Sequence, residues 1–143
     1  MSTLTTANSA MTLAVRGLYP IPQSIQGYAT DDSFSTEDVT PGETYMGVDG
    51  KLSAGYVPYS TKLTIVLQAD SSSTQMFDDV LAAQVAAKEL YIFDGTMILQ
   101  GTGEKYSFTG GYLIKASPSA TAKKVLQPRP FTIEFESMSK APV

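Results

Sequence analysis

Thr61-Lys62-Leu63-Thr64-Ile65-Val66-Leu67-Gln68, followed by Ala69-Asp70-Ser71-Ser72-Ser73, decides the fold of this chain. Its apolar residues fall on every second position, the period at which strand side chains alternate between faces, and its Thr, Ile and Val are β-branched. The polar run 69–73 stops the strand. Ser72 or Ser73 is placed to cap a helix over 74–89, with Asp78 and Asp79 near its positive end and Lys88 near its negative end. Phe77, Val80, Leu81 and Val85 recur at helical spacing, so that helix is expected to pack one face on a sheet.

Past the helix, Leu90-Tyr91-Ile92-Phe93, Thr96–Gln100, Lys105–Phe108 and Gly111–Ala116 read as short strands. Asp94-Gly95, Gly101-Thr102-Gly103 and Gly110-Gly111 punctuate them as turns, the mark of antiparallel structure. A final strand, Arg129–Glu136, sets Phe131, Ile133 and Phe135 against Thr132, Glu134 and Glu136, one face buried and one acidic. Residues 137–143 are expected as an unstructured tail or an arm.

Ahead of residue 61, Met11–Leu18 alternates as a half-buried strand until Pro20 and Pro22 interrupt any ladder, and Ser24–Ser35 is strand-like without a readable register. Between Glu43–Val48 and Lys51–Val57 lies Asp49-Gly50, the signal for a two-residue type I′ hairpin, so 36–60 is expected to protrude. An ordinary surface hairpin would show the same turn chemistry. Yet Tyr45, Met46, Val48, Leu52, Tyr56 and Val57 exceed what an isolated hairpin can bury, which asks for another subunit.

Composition excludes much chemistry. The 143 residues hold no His, Cys or Trp, removing the commonest general base, the thiol nucleophile and the best metal ligands. The absence of Cys fits a reducing cytoplasm. Residues 1–10 lack the basic and apolar regions of a secretory signal and read as a mobile arm, and no apolar run approaches the roughly 20 residues of a membrane helix, so membrane insertion is not expected. A formal charge of −4 argues against a phosphate-gripping surface.

Catalytic and metal motifs fail on context. Ser137-Met138-Ser139-Lys140 has Ser-x-x-Lys spacing without its companion motifs, and Gly101–Lys105 lacks the glycine spacing and following helix of a phosphate loop. Asp31-Asp32 and Asp78-Asp79 lack the alternating oxygen ligands of a calcium loop. No enzyme activity, cofactor or metal is expected. Lys123, Lys124 and Arg129 form one basic cluster, too small for DNA affinity and suited to ion pairs with a neighbouring subunit.

In order, the Asp49-Gly50 hairpin, the 63–68 strand, the helix, the glycine-punctuated strands and Lys123-Lys124-Val125-Leu126-Gln127-Pro128-Arg129-Pro130-Phe131-Thr132-Ile133 resemble a bacteriophage tail tube protein of the contractile type. The plan is also similar to the tubes of type VI secretion and of pyocins. The resemblance implies one domain over 1–143, a mainly β antiparallel sandwich or partial barrel with one flanking helix and a protruding hairpin. It implies homohexameric rings stacked helically into a hollow virion tube, made in the host cytoplasm, that conducts DNA without specific binding. Partners would be further copies of itself and the sheath, baseplate and tape-measure proteins. The interface would draw on Tyr45, Met46, Val48, Asp49, Leu52, Tyr56, Lys123, Lys124 and Arg129. A tail terminator or completion ring, and a carbohydrate-binding β-sandwich, are the alternatives.

Overall fold

The alternation at 61–67 is realised strictly: Thr61, Leu63, Ile65 and Leu67 are buried while Lys62, Thr64 and Val66 are partly exposed. Around this strand a computed structural model describes residues 9–26, 34–119 and 121–142. In chain order the elements are β1 (Ser9–Val15), β2 (Tyr19–Ser24), β3 (Phe34–Thr36), β4 (Gly42–Met46), β5 (Leu52–Tyr56), β6 (Thr61–Leu67), α1 (Thr74–Ala87), β7 (Phe93–Leu99), β8 (Glu104–Ala116) and β9 (Arg129–Pro142). Seven strands form one antiparallel sheet in the order β2-β1-β7-β8-β9-β6-β3, and β4 and β5 form a separate two-stranded sheet. The protein is thus mainly β with one flanking helix, and the seven-stranded sheet does not close into a barrel.

One face of that sheet carries the core: Met11, Leu13 and Val15 from β1, Phe93 and Met97 from β7, Phe108 and Leu113 from β8, Phe131, Ile133 and Phe135 from β9. Phe77 of α1 lies flat on Phe131, ring centroids 4.3 Å apart, and reaches Phe93 at 6.3 Å, so a single helical residue joins the two halves of the sheet. The helical stripe differs from its expected composition. Phe77 and Val80 are buried and Leu81 half-buried, but Met76 takes the fourth core place and Val85 stands exposed, because the helix leaves the sheet as it approaches its end at Ala87. Ser73 makes no side-chain cap; its hydroxyl accepts from Gln26 N–H at 2.8 Å and ties the chain after β2 to the helix start.

Asp94-Gly95 and Gly110-Gly111 are not turns. β7 runs through the first pair and β8 through the second, while 90–92 lie outside any strand. A Cβ on Gly95 would come within 2.7 Å of the Leu13 side chain, and one on Gly111 within 2.6 Å of the Phe135 ring and 2.8 Å of Ile133. Each glycine admits a core side chain across the ladder. Gly110, at φ +67°, forms a bulge where the β7–β8 register shifts, and its freed N–H donates to Asp94 Oδ1 at 3.1 Å. The turn expected at 101–103 is present, with Gly103 N–H donating to Leu99 O at 2.9 Å.

The termini also depart from expectation. The stretch 137–142 is not a free tail but the second half of β9, paired with β8 as far as Glu104↔Pro142. Pro20 and Pro22 lie within β2, which tolerates them because it is an edge strand. Of the expected arm, Ser9 and Ala10 belong to β1, and residues 1–8 lie outside the described residues, as does most of Ser24–Ser35.

Candidate assembly interface

The β4–β5 hairpin has all ten of its strand residues exposed. Pairing runs from Gly42↔Tyr56 to Met46↔Leu52, which puts Met46, Leu52, Ala54 and Tyr56 on one face and Glu43 and Tyr45 on the other. Tyr45 is 81%, Tyr56 76% and Val48 112% exposed, so neither face lies on the main sheet and the hairpin stands clear of it. The tip is not the expected type I′ turn. Gly50 N–H donates to Gly47 O at 3.0 Å and Gly50 alone among the tip residues has positive φ, at +85°, which makes a type I turn followed by a glycine bulge. Asp49 keeps negative φ and accepts Lys51 N–H at 3.1 Å through Oδ1.

At the opposite end of β6 and β9, Lys123 and Lys124 lie exposed on the loop between β8 and β9, beside Val125 at 70% and Leu126 at 58% exposure. That loop is braced internally by Gln127 N–H donating to Thr121 O at 2.9 Å. Arg129 does not join them. It is buried, its guanidinium donates to Asp78 of α1 at 2.7 and 3.3 Å and to Ser117 O at 2.9 Å, and it rests 5.3 Å from the Phe131 ring centre. The charge expected to face a neighbour is therefore spent within the chain, a pairing that sequence spacing alone could not reveal across 51 residues.

On the sheet face not covered by the helix, Arg16 holds Asp94 with two hydrogen bonds, at 2.8 and 3.1 Å. The guanidinium keeps the Asp94 carboxyl below its ordinary value, assisted by the Gly110 amide. Nearby a cleft of about 490 Å³ is lined by Arg16, Ser60, Tyr112, Ile114, Glu134 and Glu136, with the Ser60 hydroxyl donating to Glu134. Tyr106 donates to Glu104, lowering that carboxyl and raising the phenol, and Lys140 lies 3.3 Å from Glu104. Among the described residues no cluster of acidic side chains could hold a metal ion. What the surface offers chemically is apolar area, backbone edges and scattered charge.

One such edge is β9 itself. β6 covers it only to Phe135, so from Glu136 to Pro142 its outer side has no strand partner among the described residues.

A family model described as tail fiber protein gp32, E217_Gp32, matches residues 2–139. No curated protein matches. Among solved structures, a chain from the cryo-EM structure of an extracellular contractile injection system, the PVC sheath-tube complex in its extended state, is 17% identical with a TM-score of 0.61, covering 93% of this chain and 88% of that one. A chain in the sheath/tube terminator of the same system is 13% identical at TM-score 0.64, with 92% of each chain covered. One in the baseplate of the anti-feeding prophage is 8% identical at TM-score 0.64, covering 100% and 99%. At such identities the likeness is one of fold.

Proposed function

The chain belongs to the tail fiber protein gp32 family, and we propose that it is the tube subunit of a contractile tail. Subunits close into hexameric rings, and the rings stack into a hollow tube through which DNA passes unbound. The single observation that carries this reading is the fully exposed hairpin. Burying an aliphatic or aromatic side chain contributes about 1.5–3 kcal/mol, against roughly 0.5–1.5 kcal/mol for immobilising it. Tyr45, Met46, Val48, Leu52 and Tyr56 together favour a seated hairpin over one left in water. Lateral closure uses the open edge of β9 at 136–142, where main-chain groups await a strand. A heterologous contact that closes as a ring leaves unlike top and bottom faces, which is what stacking requires. Glu134 and Glu136, on the face away from the helix, give the lumen carboxylates rather than a basic stripe. Sheath and baseplate proteins meet the outside and ends of such a tube, and a tape-measure protein occupies its lumen during assembly.

A terminator ring is the second reading, favoured by the fold's equal likeness to a chain in a terminator structure. Negative-stain micrographs of the purified protein separate the two. Tubes or stacked rings are expected from the native chain, and single rings from the variant Tyr45→Ser/Met46→Ser/Leu52→Ser. Single rings from the native chain at every concentration would favour the terminator, and a sharp monomer at high concentration would remove both.

A further inference from the structure

Two Asp-Gly pairs occur in the chain, Asp49-Gly50 at the hairpin tip and Asp94-Gly95 inside β7, and the fold treats them in opposite ways. An aspartyl carboxyl and the peptide nitrogen after it can close a small ring, and a glycine in second place leaves that nitrogen without a flanking side chain. At the tip, Asp49 folds its carboxylate back over the main chain: Oδ1 accepts Lys51 N–H at 3.1 Å, which lays the carboxyl across Gly50. Gly47 makes room for it, since a Cβ there would come within 2.7 Å of the same oxygen, and a Cβ on Gly50 would meet nothing within 4 Å. Gly50 N–H donates to Gly47 O at 3.0 Å, but the turn it closes belongs to a two-stranded sheet whose strand residues are all exposed. Such a ribbon opens locally at little cost.

In β7 the same dipeptide is locked. Gly95 pairs with Leu13 on one side and Phe108 on the other, and Asp94 is held by Arg16 at 2.8 and 3.1 Å and by Gly110 N–H at 3.1 Å. Arg16 also keeps that carboxyl ionised to lower pH, and the ionised form has no hydroxyl to lose.

We propose that Asp49 is a site of spontaneous covalent modification in the unassembled subunit, converting to isoaspartate through a succinimide while Asp94 is spared. In the opened tip the Gly50 nitrogen forms a bond to Cγ of the protonated Asp49 carboxyl; the N–H proton and the Cγ hydroxyl depart together as water. Water then breaks one of the two C–N bonds of the ring. Breaking the bond to Cγ restores aspartate, and breaking the bond to the Asp49 main-chain carbonyl leaves the chain running through Cβ and Cγ. No oxidant is consumed and the product is an isomer. It lengthens by one carbon the tip whose Gly47–Lys51 and Gly50–Gly47 bonds set the Met46↔Leu52 register. The inference stands apart from the tube reading, because it concerns the chain before any assembly.

The native chain is kept dilute at neutral pH in isotopically heavy water, and its unassembled fraction is isolated by size exclusion and digested with trypsin. The two sites fall on separate peptides, Gly17–Lys51 and Glu89–Lys105. Electron-transfer fragmentation locates isoaspartate and the heavy oxygen that ring opening adds. A parallel sample in guanidinium chloride is followed until both sites have reacted, which fixes the duration. In the folded protein, isoaspartate is expected at residue 49 more than about a hundredfold faster than at residue 94, since β7 exposes its dipeptide only in the globally unfolded fraction of about one part in a thousand or less. Met46→Ser/Leu52→Ser, which removes the apolar pair nearest the tip, is expected to raise the rate at residue 49 and leave residue 94 unchanged. Equal rates at the two sites in the folded protein, or a residue 49 that reacts only in guanidinium chloride, overturn the proposal. A rate at residue 49 unmoved by Met46→Ser/Leu52→Ser counts against gating by the hairpin.

Discussion

Truncating Asp78 should harm the protein more than replacing the buried Arg129, although Asp78 is the more exposed of the pair. The Arg129 side chain is 7% exposed and that of Asp78 41%. In Asp78→Ala the guanidinium stays buried, retains one carbonyl partner at Ser117 and the Phe131 ring, and loses both charge-assisted bonds, while its Nε–H already has no partner among the described residues. Removing one partner of a fully buried pair costs about 3–5 kcal/mol, and discounting for the open side of Asp78 brings this to about 2 kcal/mol. In Arg129→Met the stem's packing survives and the carboxylate left behind turns to water, for about 0.5–1 kcal/mol. At about 4 °C per kcal/mol for a chain of this size, the midpoints fall by about 8 °C and about 2–4 °C. Thermal unfolding followed by far-UV circular dichroism is the assay, since no Trp is available for fluorescence. It is run in the Tyr45→Ser/Met46→Ser/Leu52→Ser background, so that any self-association through the hairpin does not mask folding. The double variant should be more stable than Asp78→Ala alone, because it removes the stranded charge. An Arg129→Met protein at least as unstable as Asp78→Ala would refute the reasoning.

Two further perturbations probe the sheet. Gly111→Ala places a methyl against Phe135 and Ile133 and should cost about 1–3 kcal/mol by overpacking, whereas Gly55→Ala, with open space around its Cβ, should change stability little; both are read by urea midpoint. For the Arg16–Asp94 pair, a carboxyl whose folded value is depressed contributes stability present above its unfolded value near 3.9 and lost as pH falls through the folded one. Arg16→Ala should therefore flatten the stability profile below about pH 4 and leave its shape unchanged between pH 6 and 8, and a steeper acid limb in the variant would contradict the sign.

Much of the fold was legible where period and burial agree. β6 and the first half of β9 face one core with one face each, so their alternation named the buried residues directly. The glycine pairs misled because a local code was read where a distant constraint governs. Asp94-Gly95 carries turn chemistry, but Gly95 is small to admit Leu13 from β1, a residue 82 positions earlier in the chain. The run 137–142 has no apolar rhythm since it is paired yet barely buried, leaving nothing for periodicity to detect. The exposure of the hairpin residues was legible because aromatics on short arms lack local cover. Arg129 was grouped with Lys123 and Lys124 by sequence proximity alone, and its tie to α1 emerges only when β9 is laid beside the helix.

The placement of the hairpin at one end of β6 and of the 117–128 loop at the start of β9 sets how the molecule bears tension. A pull applied between the hairpin base beside Thr61 and the loop that enters Arg129 crosses the ladder that joins β6 to β9. Antiparallel hydrogen bonds lie perpendicular to their strands, so this pull slides one strand along the other and strains the whole ladder at once instead of opening it bond by bond. The subunit is built as a lap joint, the arrangement in which a β-ladder yields last.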